Sequence, residues 1–241
     1  MKVLVIGGAG KVGRIIVPAL GGDHEVVVAD IAGSDQPVPQ HVPFDITDPA
    51  AWEAMPPADA LIFLAMPTTA DPDDLSVAAR QFDISVRGLY LALNWAGRRG
   101  ASRVIYASSL SVFATPPGDR YPSSPTPPDA FRAYGLAKRL GEEVCRAAVR
   151  EWGLTVTALR LAHPSTTEEW SGPVYPTATS PADVAAAFLA ALEREGGDFL
   201  VVPVSGDRTG EYVDLSETAN AIGWTPSDRL TAVRPWPVVA R

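Results

Sequence analysis

Apolar runs of strand length alternate with amphipathic stretches of helix length through the first two thirds of the chain. The runs Lys2–Ile6, Glu25–Ala29, Ala60–Ala65, Arg103–Ser108, Thr155–Leu161 and Phe199–Val202 are mostly continuous and rich in Val, Ile and Leu. Strands covered by helices on both faces read this way. Between them, Val12–Leu20, Asp74–Gly97, Ala133–Trp152 and Pro181–Arg194 carry helical patterns. Strand, helix and strand repeated in this order predict an α/β fold, a doubly wound parallel sheet with right-handed crossovers. Pro18 is expected to kink the first helix or end it early. Ala114–Arg132 holds Pro116, Pro117, Pro122, Pro125, Pro127 and Pro128, so it reads as a stiff loop. That loop is either a cover over a substrate or a plain surface connection. Ser180-Pro181-Ala182-Asp183 starts a helix with a serine cap, a proline at the first position and an acid in the first turn. Asp214–Gly223 reads as a short helix closed by glycine and followed by Trp224-Thr225-Pro226.

Composition narrows the class. A chain of 241 residues with 46% hydrophobic and 20% charged residues suits one α/β domain with a small appendage. Its net charge of −8 argues against nucleic acid or an anionic membrane as partner, since both need a basic face. Cys145 is alone, and His24, His41 and His163 lie far apart, so neither an internal disulfide nor a metal is expected. No apolar stretch approaches the ~20 residues that span a bilayer, and a soluble, cytoplasmic protein is expected.

Three local patterns carry chemistry. Gly7-Gly8-Ala9-Gly10-Lys11-Val12-Gly13 joins the first strand to the first helix. Glycines there allow a tight turn, close approach of a pyrophosphate and close helix packing, while the helix N-terminus offers free N–H groups. Asp30 ends the second strand, where a carboxylate accepts from both adenosine-ribose hydroxyls and repels a 2′-phosphate; this favours NAD over NADP. Tyr134 and Lys138 stand one helical turn apart, and an ammonium near a phenol lowers its pKa and makes it a usable base. Ser108-Ser109 closes a central strand at the end where such sheets bind ligands. Cys145 reads as a core residue.

Taken together and in order, the glycine turn, Asp30, Phe44-Asp45-Ile46-Thr47-Asp48, Ser108-Ser109 and Tyr134-Gly135-Leu136-Ala137-Lys138 resemble the extended short-chain dehydrogenase/reductase superfamily, the NAD-dependent epimerase/dehydratase group. The resemblance covers nearly the whole chain, including Pro181-Ala182-Asp183-Val184 and Gly223-Trp224-Thr225-Pro226. It implies a Rossmann-type NAD-binding domain over residues 1–162 and a small substrate lobe over 163–241, whose strand near 199–202 returns to the sheet. Gly7, Gly10, Lys11, Val12 and Gly13 would lie at the pyrophosphate and Asp30 at the ribose. Asp45 and Ile46 would sit at the adenine, with Leu64, Ala65 and Met66 beside the cofactor. Tyr134 would be the acid/base, Lys138 would hold the nicotinamide ribose, and Ser109 would orient the substrate oxygen. Among members the chain is most similar to uronate dehydrogenases, by which Thr68, Ser111, His163 and Ser165 would line the substrate pocket beside Ser109 and Tyr134. It departs from them in carrying Leu110-Ser111 after the catalytic serine and in lacking an arginine within Ser165–Pro176. The implied activity is NAD-dependent oxidation or reduction of a secondary alcohol or carbonyl on a small sugar-like molecule. The alternatives are an NAD-dependent sugar epimerase and a dinucleotide-sensing protein without catalysis. A homodimer is implied by likeness only.

Overall fold

Continuous β-branched runs make the centre of the molecule. In the computed structural model, which describes residues 1–33, 40–67 and 74–236, the strands are β1 (Lys2–Ile6), β2 (Glu25–Asp30), β3 (Gln40–Pro43), β4 (Ala60–Phe63), β5 (Arg103–Ser109), β6 (Thr155–Leu161) and β7 (Phe199–Val204). They form one parallel sheet in the order β3-β2-β1-β4-β5-β6-β7. From β1 the chain proceeds to β2 on one side and later to β4 on the other. The strand order therefore reverses there, and a crevice opens beyond the carboxyl ends.

The helices are α1 (Lys11–Leu20), α2 (Pro49–Glu53), α3 (Leu75–Phe82), α4 (Leu89–Arg99), α5 (Ala133–Trp152), α6 (Thr167–Trp170), α7 (Pro181–Leu192) and α8 (Ser216–Ile222). Each sheet face has its own core. On one, Trp52, Leu93, Trp95, Cys145 and Ala148 pack on Leu4, Phe63 and Tyr106. On the other, Ile16, Val17 and Leu20 of α1 meet Val184, Phe188 and Leu192 of α7 over Val5, Ile62 and Ile105.

The structure adds to the expected elements and corrects one. The strand β3 is short and partly exposed at the sheet edge, so it lacks the apolar run that marks the others. The helices α2 and α6 span five and four residues, too short for periodicity to register. The helix expected over Asp74–Gly97 is interrupted by a π-helical turn, Asp83–Gly88, between α3 and α4. Pro18 does not end α1, which runs through it to Leu20; so close to the C-terminus, little helix remains to be disrupted. The proline-rich segment forms turns and no helix or strand. At α7, Ser180 caps the helix by accepting from Asp183 N at 3.0 Å. Asp183 itself is buried, and its carboxylate accepts from Ser227 N and Oγ and from Asp228 N at 2.8, 2.8 and 3.1 Å, pinning the segment after α8. Among the described residues no helix is long and apolar enough to cross a membrane.

Candidate active site

A cleft of about 800 Å³ runs over the carboxyl ends of β1, β2, β4, β5 and β6. Its first wall is the glycine turn. Gly7 has φ +80°, and a Cβ on it would stand 2.6 Å from Ala65 N, so only glycine lets the turn lie against the end of β4. Gly10 precedes α1 and caps it with no side chain, leaving the first N–H groups of the helix to face the cleft beside Lys11 and Val12. Gly13 does not line the cleft; a Cβ there would meet Gly8 O at 2.1 Å, so it serves the packing of α1 on the turn.

Asp30 holds this wall in shape. Its carboxylate accepts from Ala9 N at 2.9 Å and from Ala32 N at 3.0 Å while facing the cleft. Asp45 and Ile46 follow β3 and also line it. Hydrogen bonds from Thr47 N and Oγ1, at 2.8 and 2.7 Å, hold the Asp45 carboxyl below its usual range, with Arg87 and Arg80 adding to the effect. Leu64, Ala65 and Met66 form the floor beyond β4. The dimensions, the open helix start and the placement of Asp30 fit a dinucleotide.

The chemistry sits further along. Ser109 ends β5, and its hydroxyl accepts from Ser111 N at 3.1 Å and hydrogen-bonds the phenol of Tyr134 in the first turn of α5. Lys138 is buried; its Nζ donates to Ala107 O at 2.6 Å and lies 5.1 Å from the Tyr106 ring centre and 5.9 Å from that of Tyr134. Burial lowers the Lys138 ammonium to about 8. The expected pull of that ammonium on Tyr134 does not dominate. Burial raises the phenol and the Ser109 hydrogen bond offsets part of the rise, because Nζ is turned to the Ala107 carbonyl and the Tyr106 ring. The phenol and the Ser109 hydroxyl thus face the cleft side by side, placed to bind one substrate oxygen and exchange its proton.

Ser111, Tyr121 and His163 line the far end. His163 adopts φ 40°, a strained backbone that the surrounding contacts must enforce. Its Nδ1 shares a hydrogen bond with Thr177 Oγ1 at 3.1 Å, and its ring packs on Tyr175 and Trp236. Desolvation on that side lowers its pKa, and Arg234 and Lys11 lower it further, so the ring is neutral at pH 7. Arg234 lies over Tyr175 at 4.0 Å. Ser165 is buried outside the cleft, its Oγ donating to His163 O at 3.3 Å, and Thr68 lies outside the described residues. Lys11 is paired with Glu169 of α6, Nζ standing 2.9 and 2.6 Å from its two oxygens.

The cleft also gathers Arg80, Asp83, Ile84 and Tyr121, which no motif singled out. Behind it lies a buried ion pair, Glu142 with Arg160. The position of Glu142, one turn beyond Lys138 on the same helical face, is the signal that could have drawn attention to it.

Known proteins are similar across nearly the whole chain. The sequence profile of the NAD dependent epimerase/dehydratase family matches residues 3–225. An L-arabinose 1-dehydrogenase (NAD(P)(+)) of Haloferax volcanii is 28% identical over 258 residues, covering 96% of this chain and 98% of that protein. A uronate dehydrogenase of Agrobacterium tumefaciens has the same fold, with a TM-score of 0.80 at 23% identity over 94% of this chain and 84% of that one. So does a UDP-glucose 4-epimerase of Thermotoga maritima, with a TM-score of 0.76 at 20% identity over 95% of each chain. By a profile that spans its glycine turn, its Ser109–Tyr134–Lys138 set and its late Gly223-Trp224-Thr225 segment, the chain is a member of the NAD dependent epimerase/dehydratase family.

Proposed function

We propose that this protein is an NAD-dependent dehydrogenase of a free, uncharged monosaccharide. The observation that carries the reading is the lining of the cleft beyond Tyr134. Ser111, Tyr121 and a neutral His163 stand there, and among the described lining residues the cations are Lys11, Arg80 and Lys138. Lys11 is engaged by Glu169, Arg80 acts on Asp45 at the opposite end, and Lys138 is buried under Tyr134. None of these three is spare to clamp a carboxylate or a diphosphate, and Arg234, which acts on His163 from outside the lining, is stacked on Tyr175. Hydroxyl, phenol and imidazole groups suit a polyol instead. The similarity to an L-arabinose 1-dehydrogenase along the full chain supports the same substrate class.

On this reading residues 1–162 hold the dinucleotide and bring Ser111 and Tyr121 to the substrate side, to which residues 163–241 add His163. The glycine turn and the start of α1 receive the pyrophosphate, Asp30 the adenosine ribose, and Asp45 and Ile46 the adenine. Bound NAD supplies the acceptor for the substrate hydride. Ser109 holds the substrate hydroxyl and Tyr134 takes its proton as the carbon–hydrogen bond breaks. Lys138 anchors the ribose hydroxyls, and the Ser109 hydroxyl lowers the phenol that burial raises.

Incubation with NAD and L-arabinose, D-galactose or D-glucuronate, followed by NADH absorbance, tests the reading. NADH is expected with a neutral aldose, and Tyr134→Phe should reduce turnover by ~10²–10⁴ while NAD affinity changes little. Conversion of UDP-glucose without NADH accumulation would replace the dehydrogenase by an epimerase. Reduction driven only by D-glucuronate would sink the neutral-sugar assignment.

A further inference from the structure

Glu142 and Arg160 line neither the cleft nor the surface. Both side chains are 2% exposed, and Arg160 Nε and Nη2 donate to Glu142 Oε1 and Oε2 at 2.9 and 2.8 Å. Such a fork is strong, yet desolvating two ions costs on the order of several kcal/mol each, so a buried pair is seldom a net stabiliser. Its place in the centre of the fold, against the serine-bearing strand end and the lysine-bearing helix face, points to a task other than holding the fold together.

The contacts of the pair indicate that task. Tyr134, Lys138 and Glu142 succeed one another at four-residue intervals along one face of α5. Glu142 Oε1 also accepts from Ser108 Oγ at 2.7 Å, and Ser108 is the neighbour of Ser109. Arg160 stands opposite Ser108 in the β5–β6 ladder. It donates from Nη1 to the Ser124 carbonyl at 3.1 Å and stacks on Phe113 at 4.8 Å. One ion pair therefore ties the serine-bearing end of β5, the lysine-bearing face of α5 and the proline-rich segment.

We propose that Glu142 and Arg160 are positioning residues of the reaction: they clamp the proline-rich segment onto the catalytic set, and the Glu142 carboxylate, one turn along α5 from Lys138 and bonded to Ser108, stands as the acidic partner of the buried ammonium. The groups facing that ammonium are Tyr134, Glu142 and Cys145 on α5 and Tyr106 on β5, with Arg160 of β6 reaching it through Glu142. Burial depresses the ammonium, and Cys145 and Glu142 oppose the depression. Burial also pushes the Cys145 thiol well up, so it is neutral at working pH, and the carboxylate that Arg160 grips with two hydrogen bonds is the negative group of this pocket. The functional part of this inference rests on Lys138 acting as the charged member of the catalytic set.

The chain has three lysines, Lys2, Lys11 and Lys138. Isotope labelling at the lysine ε-carbon therefore gives three NMR signals to titrate, with Lys138→Met assigning the buried one. The unmodified protein, Glu142→Gln, and the double variant Glu142→Gln/Arg160→Met, which leaves no lone buried ion, are compared by pH titration and by amide hydrogen exchange. Lys138 should titrate lower in Glu142→Gln, by about one pH unit or more, and lower also in the double variant, with Lys2 and Lys11 unmoved. Exchange within residues 114–132 should accelerate in the double variant. An unshifted Lys138 in the folded double variant overturns the charge assignment, and unchanged exchange overturns the clamp; the double variant decides both if Glu142→Gln does not fold. Neither readout uses a sugar or NAD, so these failures are separate from a failure of the dehydrogenase reading, which the NADH assay decides.

Discussion

At Lys138 a primary amine is kept out of water by Tyr106 and Tyr134 and given one carbonyl, that of Ala107, to bond. Its pKa of about 8 against the ordinary 10.5 has a consequence for stability. Between those values the unfolded chain binds more protons than the folded one, so the fold gains stability as pH rises through that window. Below about 8 the full penalty stands, on the order of 3 kcal/mol. Lys138→Met keeps most of the stem and removes the charge. Its melting temperature at pH 7 should lie a few degrees above that of the unmodified protein, and the difference should shrink from pH 8 to 10. A difference independent of pH would assign the change to packing rather than to charge. The same buried lysine was legible in the sequence, as were Gly7, Gly10, Asp30, Ser109 and Tyr134, because short offsets from a turn or a strand end define each. Arg160 was not legible: its partners Glu142 and Ser124 lie 18 and 36 residues away, and only the folded sheet brings them together.

The helix α5 shows how a whole element is set by one contact at its start. A Cβ on Gly135 would stand 2.1 Å from Ser111 O and 2.9 Å from Ala130 Cβ, so α5 begins in direct contact with the 3₁₀ turn Leu110–Val112 that follows Ser109. Gly135→Ala must push these backbones apart, with a stability loss of roughly 1–3 kcal/mol. Turnover should fall further than unfolding alone accounts for, because Tyr134 moves with the helix start. Urea melts and NADH formation measured on the same preparation check this, and full activity in a destabilised protein would contradict it. Long elements such as α5 were legible because apolar spacing persists over several turns, and the six buried strands because their runs are uninterrupted. The strand β3 was hidden by its edge position, with Gln40 and Pro43 exposed. The π-helical turn was hidden because a single inserted residue barely disturbs the periodicity.

Across the whole molecule the cleft draws on residues from Ile6 to Pro164, while α7, which comes later in the chain, completes the packing beneath it. That division has a consequence in the order of synthesis. Once residues 1–161 have left the ribosome, β1 to β6 and the residues Ser109, Tyr134 and Lys138 are all available. The face formed by Val5, Ile62, Ile105, Ile16 and Leu20, however, still waits for Val184, Phe188 and Leu192. A nascent chain halted at that length displays an apolar surface flanked by an unpaired β6 edge, the kind of species that aggregates before it can finish folding. A chain ending at residue 180 should accordingly partition to the insoluble fraction on expression, and recovery as a soluble, NAD-binding fragment would refute this. Ser109, Tyr134 and Lys138 are therefore translated early, yet the polypeptide becomes safe from aggregation only when α7 emerges, and a slow stretch of translation before it would lengthen the exposed interval.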